Sequence, residues 1–283
     1  MAEETSTKKG KNKKKAPEKE MSFWEHLEEL RWHVVRSLAA ILILAVVAFL
    51  NRHLIFDTII LAPKDSGFIT NRVLCKIAEW LAVERLCIDN LSLNIINIKM
   101  SGQFLVHMYV SIVAGIIVAF PYIIYELWRF ISPALYEKER KHTTGAVAVC
   151  SLLFILGVLF AYFLIVPLTI NFLGTYQVSE FVANQVALSS YIGTVVSVTL
   201  GVGIVFELPI LVYFLTRVGI LTPEFLRKNR KYMIVVLLII SAIITPPDVF
   251  SQILVVIPLM ILYEISISIS KRVQKRREIR MAG

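Results

Sequence analysis

The chain has 283 residues, of which 57% are hydrophobic and only 18% are charged, and its formal net charge is +9. A mean hydropathy of +0.69 exceeds what the core of a soluble protein of this size needs. The composition therefore excludes an ordinary soluble enzyme and predicts a protein embedded in the lipid bilayer. The positive charge is explained by membrane topology and does not indicate a nucleic-acid partner.

Apolar runs long enough to cross a bilayer predict six spanning helices. Four runs are clear, and two less clear ones, the second interrupted by Gln252, Pro258 and Glu264, flank Pro246 and Pro247, which cannot continue a helix. We therefore expect a short fifth and a short sixth helix joined by a tight turn. The predicted spans are Val34–Leu50, Phe104–Tyr125, Ala146–Leu168, Tyr191–Leu215, Tyr232–Ile244 and Val249–Ile269. The predicted fold class is an all-α polytopic membrane protein.

Lys and Arg are distributed unevenly along the chain. Twenty-four of the 30 lie in the N-terminal segment, in the connections after the second and fourth spans, and in the C-terminal tail. The other six lie in the long connection 52–103, and positive residues are retained on the cytoplasmic side. The sequence predicts N-in/C-in topology, with residues 1–20 a disordered basic tail, 21–270 the membrane domain and 271–283 a second basic tail.

Glu207 is a carboxylate near the middle of the fourth apolar run. A charged group at that depth costs about 3 kcal/mol, so we expect it to face protein or a water-filled recess. Two partners stay open: a polar side chain of another subunit's helix, or groups within its own bundle. A rival class, a secondary transporter or channel, would use Glu207 as an intramembrane ion or proton site, although no inverted repeat supports that class.

Two charged clusters lie at the cytoplasmic boundary of the predicted membrane domain. The segment Phe23–Arg31 is amphipathic and carries Glu28 and Glu29 just before the first span. The connection after the second span carries Glu137 and Glu139 beyond a helix-breaking Pro133. If the two segments meet, their carboxylates flank one shallow site that suits guanidinium groups, which bind carboxylates through two parallel hydrogen bonds.

The three cysteines suggest no catalytic or metal site. Cys75 and Cys87 lie in the long outer connection, and Cys150 lies in the third span. A disulfide between the first two, which would contribute about 3 kcal/mol, and a pair of free thiols both remain open. No Cys/His cluster has metal-ligand spacing, and no nucleotide loop or enzyme motif occurs, so we expect no cofactor and no enzymatic activity.

Five segments, in order, resemble the TatC family, the six-helix receptor subunit of the twin-arginine protein translocase. They are His26–Arg31, Trp128–Arg140, Phe160–Phe163 with Pro167, Phe206–Pro209 and Thr245–Gln252. The resemblance implies a glove-like fold in the bacterial cytoplasmic membrane, and it implies binding of twin-arginine signal peptides of folded precursors. It also implies partners of the TatA and TatB type, other TatC protomers, and export driven by the proton motive force.

The resemblance also implies roles for individual residues. Glu29 and Glu139 match the carboxylates that bind the arginine pair, and Glu207 matches a buried glutamate on the concave side. The neighbours expected around the first two are Leu30, Arg31, Phe130, Tyr136 and Arg140. The residues expected near the partner helix are Thr245 and Gln252, and those expected in structural roles at the outer face are Pro63 and Asp248. The outer connection is longer than the family pattern and predicts an extra amphipathic helix over Ile77–Leu86.

Overall fold

The computed structural model describes residues 23–65, 67–81, 93–131, 143–179, 181, 184–246 and 248–282. These parts of the chain are mostly helical, with two three-residue strands. The α-helices, in chain order, are α1 (Phe23–Leu50), α2 (Ile69–Leu81), α3 (Gly102–Ile131), α4 (Thr143–Phe160), α5 (Val166–Thr175), α6 (Leu188–Val205), α7 (Leu208–Val218), α8 (Pro223–Lys228), α9 (Arg230–Ile244) and α10 (Val249–Ala282). The strands are β1 (Asn94–Ile96) and β2 (Gln185–Ala187).

Five helical stretches of the described chain are long and apolar enough to cross a membrane, and they make this a multi-pass membrane protein. They are Leu27–Leu50, Gly102–Ile131, Gly145–Thr175, Leu188–Val218 and Val249–Arg276. The predicted fifth span corresponds to α9, which has 15 residues. At 1.5 Å per residue, α9 is about 22 Å long, which is less than a hydrocarbon core of about 30 Å.

One detail of the predicted fold is wrong. The sixth helix is not short, because α10 has 34 residues and continues through the basic tail. Pro258 interrupts only local hydrogen bonding, and the Lys, Arg, Gln and Glu residues that follow favour helix. The mostly helical fold is as predicted, with a short strand pair that the sequence did not indicate: β1 pairs in parallel with β2, with Asn94 opposite Gln185. The pairing satisfies backbone groups of two extended connections that lie at one end of the bundle.

Helices α1 and α3 run antiparallel along each other. Near the start of α1, His33 hydrogen-bonds Glu126 of α3, and near its end the ring of His107 stacks on Phe49 at 4.0 Å. Between them, the backbones approach closely at Gly115, where a Cβ atom would lie 2.8 Å from backbone atoms of α1. We call the end of the bundle with the start of α1 and the end of α3 the proximal face, and the opposite end the distal face.

The core of the bundle centres on α6, which is the first half of the most deeply buried spanning stretch. Ile192, Val198 and Val202 are fully buried there. The sequence predicted one continuous helix over Tyr191–Leu215, but the helix breaks at Phe206 and Glu207, and α7 starts with Leu208. Proline at the second position of α7 has no N–H to donate, so it suits a helix start and not a helix interior.

The distal connection between α1 and α3 is packed onto the bundle. Helix α2 starts earlier than the predicted Ile77–Leu86, and residues 82–92, which include the end of that prediction, lie outside the described chain. The polar side chains of Thr70 and Asn71 face the protein and donate to backbone carbonyls of Phe163 and Asp65. Elsewhere in the connection, the buried Tyr191 hydroxyl of α6 donates to the Ile60 carbonyl at 3.0 Å.

Cysteine pairing can be followed only in part. Cys75 in α2 is disulfide-bonded, and Cys150 in α4 is a free, buried thiol. Cys87 lies outside the described residues, so the specific pairing of Cys75 with Cys87 stays a prediction.

Candidate functional site

The proximal end of α1 carries two adjacent glutamates in different surroundings. Glu28 is exposed and lies 3.5 Å from Arg31, one turn further along the helix. Glu29 is half-buried, and its Oε2 atom is buried without a hydrogen-bond partner in the described part of the chain. A buried carboxylate oxygen without a partner is costly, and none of the described residues supplies a donor to this one.

The other residues predicted at this site divide into two groups. Leu30 and Phe130 are half-buried at the proximal ends of α1 and α3, and Arg31 is exposed with its guanidinium 5.6 Å from the Trp32 ring. The antiparallel register of α1 and α3 brings Glu29 and Phe130 to the same level of the bundle. The remaining predicted residues, Tyr136, Glu139 and Arg140, lie outside the described residues.

Directly below this level lies a buried polar cluster that the sequence analysis missed. His33 and Glu126 are 6% and 2% exposed, and a hydrogen bond joins His33 Nδ1 to Glu126 Oε2. The other carboxylate oxygen of Glu126 accepts a 2.8 Å bond from the Tyr122 hydroxyl. The available signal was a carboxylate at the end of an apolar run, which must face protein when it lies within the membrane.

Glu207 lies between α6 and α7, where the fourth spanning stretch breaks. Its side chain is half-buried, Oε1 has no hydrogen-bond partner in the described chain, and the Cys150 thiol of α4 is a side-chain hydrogen-bond partner. Near this break α4 and α6 pack closely, because a Cβ atom at Gly157 or Gly203 would overlap side chains across their contact. The carboxyl group is therefore partly satisfied inside the bundle and partly available.

The residues predicted to contact a partner helix have partners within their own chain. The Thr245 hydroxyl donates to the Ser241 carbonyl at 2.9 Å, and the Gln252 amide donates to the Leu238 carbonyl at 3.0 Å. The Ser241 hydroxyl in turn donates to the Gln252 carbonyl at 2.9 Å. The Ser241 and Gln252 bonds hold α9 against α10, whereas the Thr245 bond lies at the end of α9 itself.

The two residues predicted to be structural at the distal face are both held in turns. Pro63 is buried in a single 3₁₀ turn, Ala62–Lys64. The Asp248 carboxylate accepts a 2.7 Å bond from the backbone N–H of Ser251, which is the geometry of a helix N-cap for α10. Within the residues described, no group of three or more His, Cys, Asp or Glu side chains has the geometry to hold a metal ion.

Comparison with known proteins identifies the family. The sequence model of the family described as "Sec-independent protein translocase protein (TatC)" matches residues 25–258. A TatC protein of Blattabacterium sp. subsp. Periplaneta americana is 42% identical over 260 residues, which cover 91% of this chain and 98% of the relative. TatC of Aquifex aeolicus is 36% identical, and the match covers 93% of this chain and all of the relative.

Solved structures agree with the sequence comparison. A crystal structure described as the twin arginine translocase receptor TatC superposes with a TM-score of 0.68 at 35% identity, covering 88% of this chain and 100% of that chain. A second crystal structure of the receptor, in the detergent DDM, gives a TM-score of 0.70 at the same identity. The chain therefore belongs to the TatC family and is a membrane-embedded component of the twin-arginine, Sec-independent protein translocase.

Proposed function

We propose that the chain is the receptor subunit that binds twin-arginine signal peptides of folded precursors, and that Glu29 and Glu139 bind the arginine pair. The observation that carries this proposal is the Glu29 carboxylate, which is half-buried with one oxygen lacking a partner in the described chain. A guanidinium supplies two parallel donors to a carboxylate, whereas a lysine ammonium is a point charge. The site therefore distinguishes an arginine pair from a lysine pair.

Connectivity supports the pairing of the two carboxylates. Glu139 belongs to the segment that leaves α3 after Ile131 and enters α4 at Thr143. Both of those ends lie at the proximal face, as does Glu29, so Glu139 is tethered to the same end of the bundle. Phe130, at the level of Glu29, provides an apolar surface for the residues that follow the arginine pair in a signal peptide. Leu30, Arg31, Tyr136 and Arg140 complete the proposed binding surface.

We further propose that the proximal face is cytoplasmic and that the membrane is the bacterial inner membrane. Arg129, Arg217 and the N-terminal end of α9 place positive side chains at this face, as the positive-inside rule requires. Helix α9 then makes the sixth crossing despite its length, which leaves both termini in the cytoplasm. The tails 1–20 and 271–283 flank the membrane domain 21–270 in this arrangement.

The topology is tested by labelling single cysteines in intact cells with a membrane-impermeant maleimide. A cysteine at Ile98, which is 76% exposed in the distal connection, is labelled from outside, and one at Glu278 is labelled only after the cells are opened. Labelling of the cysteine at position 278 in intact cells contradicts the proposed topology.

Partner subunits follow from the same function. We propose that single-span TatA- or TatB-type subunits and other TatC protomers assemble around this chain for transport driven by the proton motive force. Glu207 Oε1 has no hydrogen-bond partner in the described chain, so it can accept a hydrogen bond from a polar side chain of a partner helix. Such bonds stabilise helix contacts within membranes. The transporter or channel alternative is not retained, because the family is that of a protein translocase component.

Two matched pairs of substitutions test the receptor proposal. We expect Glu29→Gln to abolish export of a reporter with a twin-arginine signal peptide, and Glu28→Gln to leave export intact, since Glu28 is exposed and adjacent to Arg31. Glu139→Gln and Glu137→Gln form the second pair, with the same expected contrast. Immunoblotting of the membrane fraction verifies equal amounts of each variant. Export that is equally strong in Glu29→Gln and Glu28→Gln removes the proposed role of Glu29.

A further inference from the structure

We propose that His33, Glu126 and Tyr122 form a polar clamp in which the buried bond between His33 and Glu126 sets the register of α1 on α3, and that these positioning residues thereby hold Glu29 level with Phe130. The inference rests on the proposed receptor function and adds to it how the binding surface is held in shape. None of the three side chains is assigned to contact the signal peptide.

The burial of the His33–Glu126 pair is the reason to infer a role in selecting the helix register. His33 and Glu126 are separated by 93 residues in sequence and are almost completely removed from solvent. A buried polar or ionic pair gains little over a well-packed apolar pair, because the groups lose their hydration. Its best-attested use is to select one register among several, since any other register leaves a buried polar group without a partner.

The chemistry of the clamp specifies one arrangement. An ionised carboxylate only accepts hydrogen bonds, so His33 donates from Nδ1 to Oε2 of Glu126, while the Tyr122 hydroxyl donates to Oε1. Both carboxylate oxygens are thus used. A shift of α1 along α3 by one turn, about 5.4 Å, breaks the interhelical bond and leaves His33 Nδ1 and Glu126 Oε2 without their partners.

The spacing along each helix connects the clamp to the binding surface. His33 lies four residues after Glu29 on α1, and Phe130 lies four residues after Glu126 on α3. Residues four apart lie on the same face of a helix, one turn from each other. The His33 ring also contacts the Phe130 ring edge-on, with the centroids 6.1 Å apart. The clamp therefore lies one turn below Glu29 and Phe130 and fixes both.

The test is photo-crosslinking in membranes with a precursor that carries a photoreactive side chain next to its arginine pair. The measured quantity is the ratio of the crosslinking yield for the arginine pair to the yield for a lysine pair. We expect the double variant His33→Leu/Glu126→Leu to keep its thermal midpoint in detergent near that of the wild type, because apolar side chains replace both polar partners. Its arginine-to-lysine ratio falls about tenfold, the equivalent of one lost charge-assisted hydrogen bond.

Matched variants separate positioning from general stability. His107→Leu removes the bond from His107 Nε2 to the Phe49 carbonyl, which joins α1 to α3 at the distal end, and we expect it to leave the ratio unchanged. Glu126→Gln keeps the length of the side chain, and it keeps both hydrogen bonds if His33 changes tautomer. We therefore expect an arginine-to-lysine crosslinking ratio like that of the wild type. Glu126→Asp keeps the charge but is one methylene shorter, so we expect its arginine-to-lysine crosslinking ratio to fall.

Each outcome is decisive. A wild-type crosslinking ratio in the double variant overturns the proposed clamp. The proposal is also overturned if the ratio falls as far in Glu126→Gln as in Glu126→Asp. If the double variant does not accumulate in membranes, the comparison of Glu126→Gln with Glu126→Asp decides alone. A wild-type protein that crosslinks both precursors equally overturns the receptor function and not the clamp, so the two failures are distinguishable.

Discussion

Adding a single methyl group at Gly115 tests the close approach of α1 and α3. A Cβ atom at this position lies 2.8 Å from the backbone nitrogen of Ala45 and 2.8 Å from the carbonyl oxygen of Ile41. Both neighbours are backbone atoms of α1, so no side-chain rotation relieves the contact. Gly115→Ala therefore requires the two helices to move apart.

The size of the movement follows from the same distances. Ordinary van der Waals contact for a Cβ atom begins at 3.4 Å, so α1 must shift by about 0.6 Å at this level. Overpacking of a well-packed contact costs about 1–3 kcal/mol. Replacing glycine by alanine in a helix returns up to about 1 kcal/mol, so the expected net effect is destabilising but moderate.

Gly193→Ala is the matched control, because Gly193 also lies within a helix and a Cβ atom there meets nothing within 4 Å. Both variants gain the same helix propensity, and only Gly115→Ala adds a steric conflict. The thermal midpoints of the purified proteins in detergent are compared with that of the wild type. We expect a lower midpoint for Gly115→Ala alone, and equal midpoints for the two variants refute the packing that we describe between α1 and α3.

Three further predictions concern other parts of the fold. Cys150 is a free thiol and is 5% exposed, so we expect maleimide to modify it slowly in the folded protein and rapidly in SDS. Rapid modification of the folded protein would show that α4 is packed differently. Ser241→Ala removes a bond between α9 and α10, and we expect it to lower stability by about 1 kcal/mol. Ser268→Ala, at an exposed site, is the control and leaves the thermal midpoint unchanged. Equal effects of the two substitutions would contradict the packing of α9 on α10. Arg230→Ala breaks a half-exposed ion pair with Glu264 and changes stability by no more than about 1 kcal/mol, so a large loss of stability would argue against its exposure.

The positions of the spanning helices follow from the sequence because hydropathy reports directly on transfer into lipid. The runs from Val34, Phe104, Ala146 and Tyr191 all correspond to helices, and the prediction of a short fifth helix corresponds to α9. The length of the sixth helix was underestimated, because hydropathy ends with the apolar residues whereas helix propensity continues through the basic ones.

Breaks and contacts between helices are harder to predict. The close packing of α4 on α6 depends on Gly157 and Gly203, which lie in different runs of the sequence and meet only in the fold. The clamp between His33 and Glu126 joins residues 93 positions apart, so a reading along the chain finds two isolated polar residues and not one cluster. The resemblance to a family indicated Glu29, but only the structure shows that one of its oxygens lacks a partner in the described chain.

Recognition of an arginine pair by the proximal face is what defines this chain as a receptor. The most direct test uses wild-type membranes and a precursor with a photoreactive side chain beside the pair, followed by mass spectrometry of the adduct. We expect adducts at the start of α1 and within residues 132–142, and we expect them to disappear when both arginines are changed to lysine. Adducts of equal yield from both precursors, or adducts confined to the distal connection, would contradict the account.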